Sequence, residues 1–259
     1  MKVALGVEYD GTRFSGWQVQ PSQMTVQGCL ERALSLVANH PVKTVAAGRT
    51  DSGVHALQQV AHFETTVHRG ERNWILGLNT NLPSDINVTW ARPVDDDFSA
   101  RFSALNRSYR YVIMNRVSRS ALQAHKMWWI FSPLDVKLMQ AAADLLVGHH
   151  DFSAFRAKEC QAHSPFKTVE KIKVTRQGDC IAIDVKAQSF LHHMVRNLVG
   201  VLVPIGEGRK PVEWAKEVLE GRVRCHGGIT SPPDGLYFIK VEYPEQYKLP
   251  TVSAFPVVW

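Results

Sequence analysis

Apolar residues recur along this chain with two periods, one near 2 and one near 3.6, and the changes between them mark out strands and helices. Residues 3 to 9 (VALGVEY) read as a strand, closed by an Asp10-Gly11 turn. Val26, Cys29, Leu30, Ala33, Leu34 and Val37 then fall at helical spacing, with Thr25 as N-cap and His40-Pro41 as the stop. Strands are expected at 42–47 and 58–65, on either side of the polar loop GRTDSGVH. A short helical stretch near Trp74 to Leu78 and a strand ending at Trp90 follow, and the acidic run Asp95-Asp96-Asp97 marks a surface connection.

Beyond it, residues 107–114 (RSYRYVIM) alternate in polarity as a strand does. Ser132-Pro133-Leu134-Asp135 supplies an N-cap, an N1 proline and a first-turn carboxylate for a helix that Gly148 closes as a C′ residue. Residues 168–175 and 180–187 form a hairpin across Gln177-Gly178-Asp179, which leads into an apolar helix carrying Phe190, Met194, Leu198, Val201 and Ile205. A helix over 211–220 and a strand over 236–242 complete the pattern. The class is therefore α+β: two mixed α/β halves, 1–104 and 105–259, with largely antiparallel sheets around a shared central cleft.

Composition narrows the function classes. Apolar residues make up 45% and charged residues 21%, which places the chain among globular rather than disordered proteins. Thirty Lys and Arg against 24 Asp and Glu leave a charge of +6, which biases the expected partner toward a polyanion. Cys29, Cys160, Cys180 and Cys225 form no CxxC pair, so neither a zinc knuckle nor a disulfide framework is expected, and they read as reduced thiols. The chain opens on a strand with no apolar leader, and no apolar run reaches the length of a membrane span. A cytoplasmic protein is expected.

The candidate chemistry lies in Gly48-Arg49-Thr50-Asp51-Ser52-Gly53-Val54-His55. It places a carboxylate between two glycines, which permit tight turning and close approach of another molecule. Arg49 is near enough in sequence to pair with Asp51 and keep it ionised, as a nucleophile or general base must be. The plain alternative is an Asx-turn in which Asp51 caps its own loop. His192-His193 invites a metal reading, but adjacent histidines on a helix diverge by about 100°, and no metal site is expected. Arg196 would share a helical face with both, as a supporting cation or as one half of a surface salt bridge.

With that octet, the segments EYDGTRFSGWQVQ (8–20), ARFSALNRSYRYVI (100–113) and FLHHMVRN (190–197) resemble the bacterial tRNA pseudouridine synthase A family, which modifies positions 38 to 40 of the tRNA anticodon stem-loop. The match runs in order from about residue 3 to about 250 and includes NLPSDI near 81, DFSAFRA near 151 and DGLYF near 234. The resemblance implies that Asp51 is the essential aspartate, that Arg49 pairs with it and helps evert the target base, and that Tyr109 packs on the uracil. Strand periodicity alone leaves Tyr109 and Tyr111 on one face and cannot choose between them.

The resemblance further assigns RNA contacts to Arg69, to Phe98, Arg101 and Phe102, to Glu159, Cys160, Gln161 and His163, and to Arg196, each of which could otherwise be an ordinary solvated position. His163 stands where a basic residue is commoner, and Ser52 replaces a usual alanine. The resemblance also implies a homodimer, a pseudouridine synthase fold, and a reaction without cofactor or metal. Two other classes compete: a catalytically silent RNA-binding protein, which would not need Asp51, Arg49 and Tyr109 together, and a carboxylate-dependent hydrolase, which would need a second carboxylate or metal ligands.

Overall fold

The computed structural model describes residues 1–250, apart from the side chain of Cys225. The last nine positions of the expected 105–259 half, and the thiol of Cys225, lie outside the described residues. In chain order the elements are β1 (Lys2–Tyr9), α1 (Val26–Ala38), β2 (Thr44–Ala46), β3 (His55–Glu64), α2 (Glu71–Asn81), β4 (Ile86–Val94), β5 (Asn106–Asn115), β6 (Trp128–Ile130), α3 (Val136–Asp144), β7 (Gly148–Asp151), β8 (Phe166–Gln177), β9 (Cys180–Ala187), α4 (Met194–Gly206), α5 (Trp214–Gly221) and β10 (Leu236–Glu242). No helix among the described residues is long and apolar enough to cross a membrane.

The chain divides into two compact units, one of Met1–Asn106 with the described segment from Tyr237 to Pro250, the other of Arg107–Leu236. In the first unit the strands run in the order β4-β1-β3-β10, with β2 also on β3; the β3–β10 pairing is parallel and the others are antiparallel. A division at 104/105 assigns β10 to the other half, because local pattern cannot show that a C-terminal strand returns to pair beside His55. Helix α1 buries Val26, Leu30, Ala33 and Leu34, and its N-cap Thr25 accepts from the Gly28 amide. Trp74 of α2 meets Phe63 of β3 edge-on, with centroids 5.1 Å apart.

In the second unit the order is β5-β9-β8-β7, antiparallel throughout, with β6 parallel on β5. The expected β8–β9 hairpin forms, and Gly178 supplies its left-handed turn position at φ 57°. Ile181, Ile183 and Val185 of β9 and Tyr111 and Ile113 of β5 are buried.

Three local expectations change. Asp135, not Ser132, caps α3: its carboxylate accepts from the amides of Lys137 and Leu138, a geometry that gives a first-turn acid the cap role. Gly148 does not close that helix, which ends at Asp144; it opens β7 at φ +121°. Helix α4 begins at Met194, so His192 and His193 precede it, and His193 sits in the left-handed region at φ 62°. The two imidazoles therefore lie 4.0 Å apart instead of diverging around a helix, and they share no helical face with Arg196.

Helix α4 is packed closest at Gly200. Pro204 has no N–H to return to the Gly200 carbonyl, and Gly228 packs on that oxygen: a Cβ on Gly228 would stand 1.9 Å from it. A Cβ on Gly200 would stand 1.7 Å from the Ile229 carbonyl oxygen. Helix propensity alone favours Gly200→Ala by about 1 kcal/mol, but here overpacking wins. The expected result is a destabilisation of about 1–3 kcal/mol, read in a thermal melt as a Tm fall of roughly 2–4 °C per kcal/mol; an unchanged or raised Tm would refute the tight contact.

Candidate active site

Asp51 lies in the loop between β2 and β3, and that loop has no ladder of its own. Its peptide groups bond to the segment after β1 and to side chains beneath it. The Thr50 carbonyl accepts from the Trp17 amide (3.0 Å), the Gly53 amide donates to the Phe14 carbonyl (3.3 Å), and the Ser52 hydroxyl donates to the same carbonyl (3.2 Å). Gln59 Nε2 donates to the Gly48 carbonyl (2.7 Å). The Val54 amide closes a turn on the Asp51 carbonyl (3.1 Å), with Gly53 at φ +81°.

Two glycines let the backbones meet. A Cβ on Gly11 would stand 2.0 Å from the Val54 carbonyl oxygen, and one on Gly16, itself at φ +82°, would stand 2.7 Å from the Thr50 carbonyl oxygen. Thr50 and Val54 are buried, Asp51 and Gly53 half-buried, and Ser52 exposed, so the turn presents the carboxylate between two anchored ends. His55 is buried as the first residue of β3; its Nδ1 accepts from the Gly11 amide (3.0 Å), and its ring stacks on Tyr237 at 4.7 Å.

The expected Arg49–Asp51 pair is not formed. Arg49 is exposed and makes no ion pair among the described residues. Nearness in sequence does not bring the two together where Thr50 between them is pinned inward.

The other residues expected to meet RNA in the first unit divide in two. Arg69 is exposed, with its guanidinium 6.0 Å from the Trp74 ring. Arg101 lies over the Phe102 ring at 5.1 Å, and Phe102 is 80% exposed. Phe98, by contrast, is 0% exposed among the rings of His62, Tyr243 and Tyr247, and this removes it from the candidate contacts. Phe98 and Ala100 anchor the segment: the Ala100 amide donates to His62 Nδ1 (3.0 Å), and Tyr243 donates to the Ala100 carbonyl (2.6 Å). Burial, the larger cause, and the nearby Lys2 ammonium hold the His62 pKa below the usual imidazole range.

In the second unit, Tyr109 on β5 is 9% exposed and packs edge-on against Phe190 at 5.0 Å. Tyr111 is wholly buried and donates to the Pro232 carbonyl (2.8 Å); burial drives its phenol pKa up, so it is a core residue. The structure thus separates two tyrosines that strand period could not. Arg196, in the first turn of α4, is half-buried and donates through Nε to the Ser231 carbonyl (2.7 Å).

Glu159, Gln161 and His163 are exposed, and Cys160 is half-buried. Arg156, which the sequence did not single out beyond its DFSAFRA motif, shapes this segment by donating to the carbonyls of Cys160 (2.6 Å) and Ala162 (2.9 Å). Cys160 Sγ accepts from the His192 amide (3.3 Å). Partial burial works to raise the Cys160 pKa, but the amides of Ala162 and His192 and the Arg156 guanidinium outweigh it and hold the thiol below its ordinary value. Cys29, Cys160 and Cys180 are free thiols.

Anchor and display can be separated by melting. Phe98→Ala is expected to cost about 3–5 kcal/mol, whereas Phe102→Ala should stay within about 0.5 kcal/mol of the parent. Equal effects of the two in thermal unfolding would contradict the burial pattern.

The family profile described as tRNA pseudouridine synthase matches residues 6–103 and 142–244. The chain is 54% identical over 259 residues to a tRNA pseudouridine synthase A of Nitrosococcus oceani, covering 100% of both chains. It is 54% identical over 257 residues to the protein of that name from Alcanivorax borkumensis, covering 99% of this chain and 96% of that one. The counterpart from Colwellia psychrerythraea is 51% identical over 257 residues, with 99% of each covered. A profile match over most of the chain, and end-to-end identities above half, leave one conclusion: the chain belongs to the tRNA pseudouridine synthase family, and is an isomerase.

Proposed function

We propose that this chain converts uridine to pseudouridine at positions 38, 39 and 40 of the tRNA anticodon stem-loop, with Asp51 as the catalytic carboxylate. The observation that carries the reading is the turn at Asp51: a half-buried carboxylate in a turn whose two ends, Thr50 and Val54, are buried and hydrogen-bonded, in the motif that defines the resemblance.

Uridine and pseudouridine contain the same atoms, so the balance needs no co-reactant and no cofactor. The N1–C1′ bond breaks, the uracil turns, C5 joins C1′, and the proton lost from C5 is matched by one gained at N1. Asp51 is required whether it attacks C6, attacks C1′ or removes the C2′ proton.

A target base in an RNA stem has to be unstacked at a cost of a few kcal/mol. Exposed Arg49 meets the RNA backbone as the base everts, and Tyr109 supplies an aromatic wall that offsets part of the lost stacking. Arg69, Arg101, Phe102, Arg196 and the 159–163 segment supply further contacts to the RNA. A working homodimer in the cytoplasm completes the reading.

Incubating the protein with unmodified tRNA and mapping pseudouridine, with no metal added, separates this reading from a silent RNA binder and from a hydrolase. Asp51→Asn is expected to abolish product while leaving Tm and tRNA affinity near the parent values; turnover at a hundredth of the parent rate or more would remove the assignment.

Tyr109 supports a second measurement. Tyr109→Leu should weaken target binding and turnover by about 1–3 kcal/mol for a lost stack. Tyr109→Phe should keep binding, and falls in single-turnover rate, by roughly a hundredfold, if the hydroxyl moves a proton. Full activity in both variants would show that Tyr109 serves only the core.

A further inference from the structure

The residue next to the proposed catalytic carboxylate is held by a buried polar chain that the reaction itself does not use. Tyr9, the last residue of β1, is 3% exposed, and its hydroxyl lies 2.8 Å from Thr50 Oγ1. Gln59 of β3 is completely buried; its Oε1 accepts from the Val60 amide (3.2 Å), its Nε2 donates to the Gly48 carbonyl (2.7 Å), and its side chain acts on the Tyr9 phenol to lower its pKa. In the Tyr9–Thr50 pair either hydroxyl can be the donor. Burial drives the Tyr9 phenol pKa up against the pull of Thr50 and Gln59, so it remains a neutral hydroxyl able to donate and accept at once.

Such a set of bonds is costly to leave half-made, because a buried donor or acceptor that loses its partner keeps the cost of its desolvation. It joins two strands to two positions of the loop: Gly48 through Gln59, and Thr50 through Tyr9. The Thr50 carbonyl is fixed separately by the Trp17 amide, and Trp17 itself is buried, with its ring 6.0 Å from that of Tyr9. Thr50 is thus restrained through both its side chain and its backbone, which leaves the backbone entering Asp51 little freedom.

We infer that Tyr9, through the Thr50 hydroxyl and together with Gln59, is a positioning residue for Asp51 that sets the rate of the chemical step without contacting the RNA. This rests on Asp51 being the catalytic carboxylate. A carboxylate displaced by about 1 Å can lose as much as a hundredfold in rate with binding intact, and that signature distinguishes positioning from general support of the fold.

The test uses full-length protein and unmodified tRNA, with single-turnover rate, tRNA affinity and Tm measured for each variant. Tyr9→Phe removes the hydroxyl and keeps the ring; Thr50→Val removes the partner and keeps the volume. Each is expected to slow the saturated rate ten- to a hundredfold with tRNA affinity within about twofold, and the double variant should be no slower than the worse single one, since both break the same bond. Thr50→Ser, which restores the hydroxyl, should recover most of the rate. Rates that track Tm or tRNA affinity, additive effects in the double variant, or a Thr50→Ser as slow as Thr50→Val would overturn the inference. Parental rates in Tyr9→Phe and Thr50→Val beside an inactive Asp51→Asn would overturn it alone, whereas an active Asp51→Asn would overturn the catalytic reading with it.

Discussion

An irregular loop that carries a candidate catalytic carboxylate has to find outside partners for every peptide group it turns away from water. Residues 48–54 find theirs in the Gln59 amide, the Trp17 amide and the Phe14 carbonyl, and Gly11 and Gly16 make the approach possible by having no side chain where the two backbones meet. The rest of the first unit serves this contact. Strand β1 lies between β3 and β4, so its register decides where Tyr9 ends. In the β1–β3 pairing the register shifts between Val7 and Tyr9, next to the strand that leaves the loop; bulges of this kind increase local twist and re-aim the flanking side chains.

A second theme is the alternation of anchor and display. Phe98 and Ala100 are sunk into the first unit, and Arg101 and Phe102 stand out from it. In the second unit, Arg156 clamps two carbonyls while Glu159, Gln161 and His163 between and beside them remain exposed. The RNA contacts proposed for these segments call for cations and rings that remain in solvent. Short, firmly tethered segments meet that need at lower entropy cost than long free loops, because few torsions remain to be ordered when the RNA arrives.

Much of this was legible in the sequence, because local rules act on short windows. The helix capped by Thr25, the β8–β9 hairpin and the apolar α4 follow from periodicity and turn chemistry alone. What was hidden depends on contacts distant in sequence. That β10 returns to β3, that Phe98 is core while Phe102 is not, and that Tyr111 gives its hydroxyl to Pro232 are all set by packing across more than a hundred residues or by which side of a strand is covered. The start of α4 is hidden for a different reason. His192 and His193 continue an apolar helical pattern, and nothing in their side chains announces the left-handed backbone at His193. The octet around Asp51 stood out because of its glycines, whereas Tyr9, Thr50 and Gln59, which hold it, look like ordinary strand and loop residues.

The proposed chemistry asks opposite things of neighbouring residues. A carboxylate that must meet one carbon atom of a uracil gains from rigidity, since effective concentration rises as its freedom falls. A cation that guides a base out of its stack gains from reach, since the phosphate it follows moves during eversion. Thr50, pinned by hydroxyl and carbonyl alike, separates the two: on one side Asp51 is half-buried in a closed turn, and on the other Arg49 is exposed without an ion pair among the described residues. A permanent Arg49–Asp51 pair would stabilise the resting loop, yet in the proposed reading it would occupy the guanidinium meant for the RNA and screen the carboxylate from the uracil. Leaving the arginine in solvent costs almost nothing, because an exposed ion pair contributes only about 0–1 kcal/mol, and in the proposed reading it keeps the guanidinium available for the moment at which the nucleotide turns out of the stem.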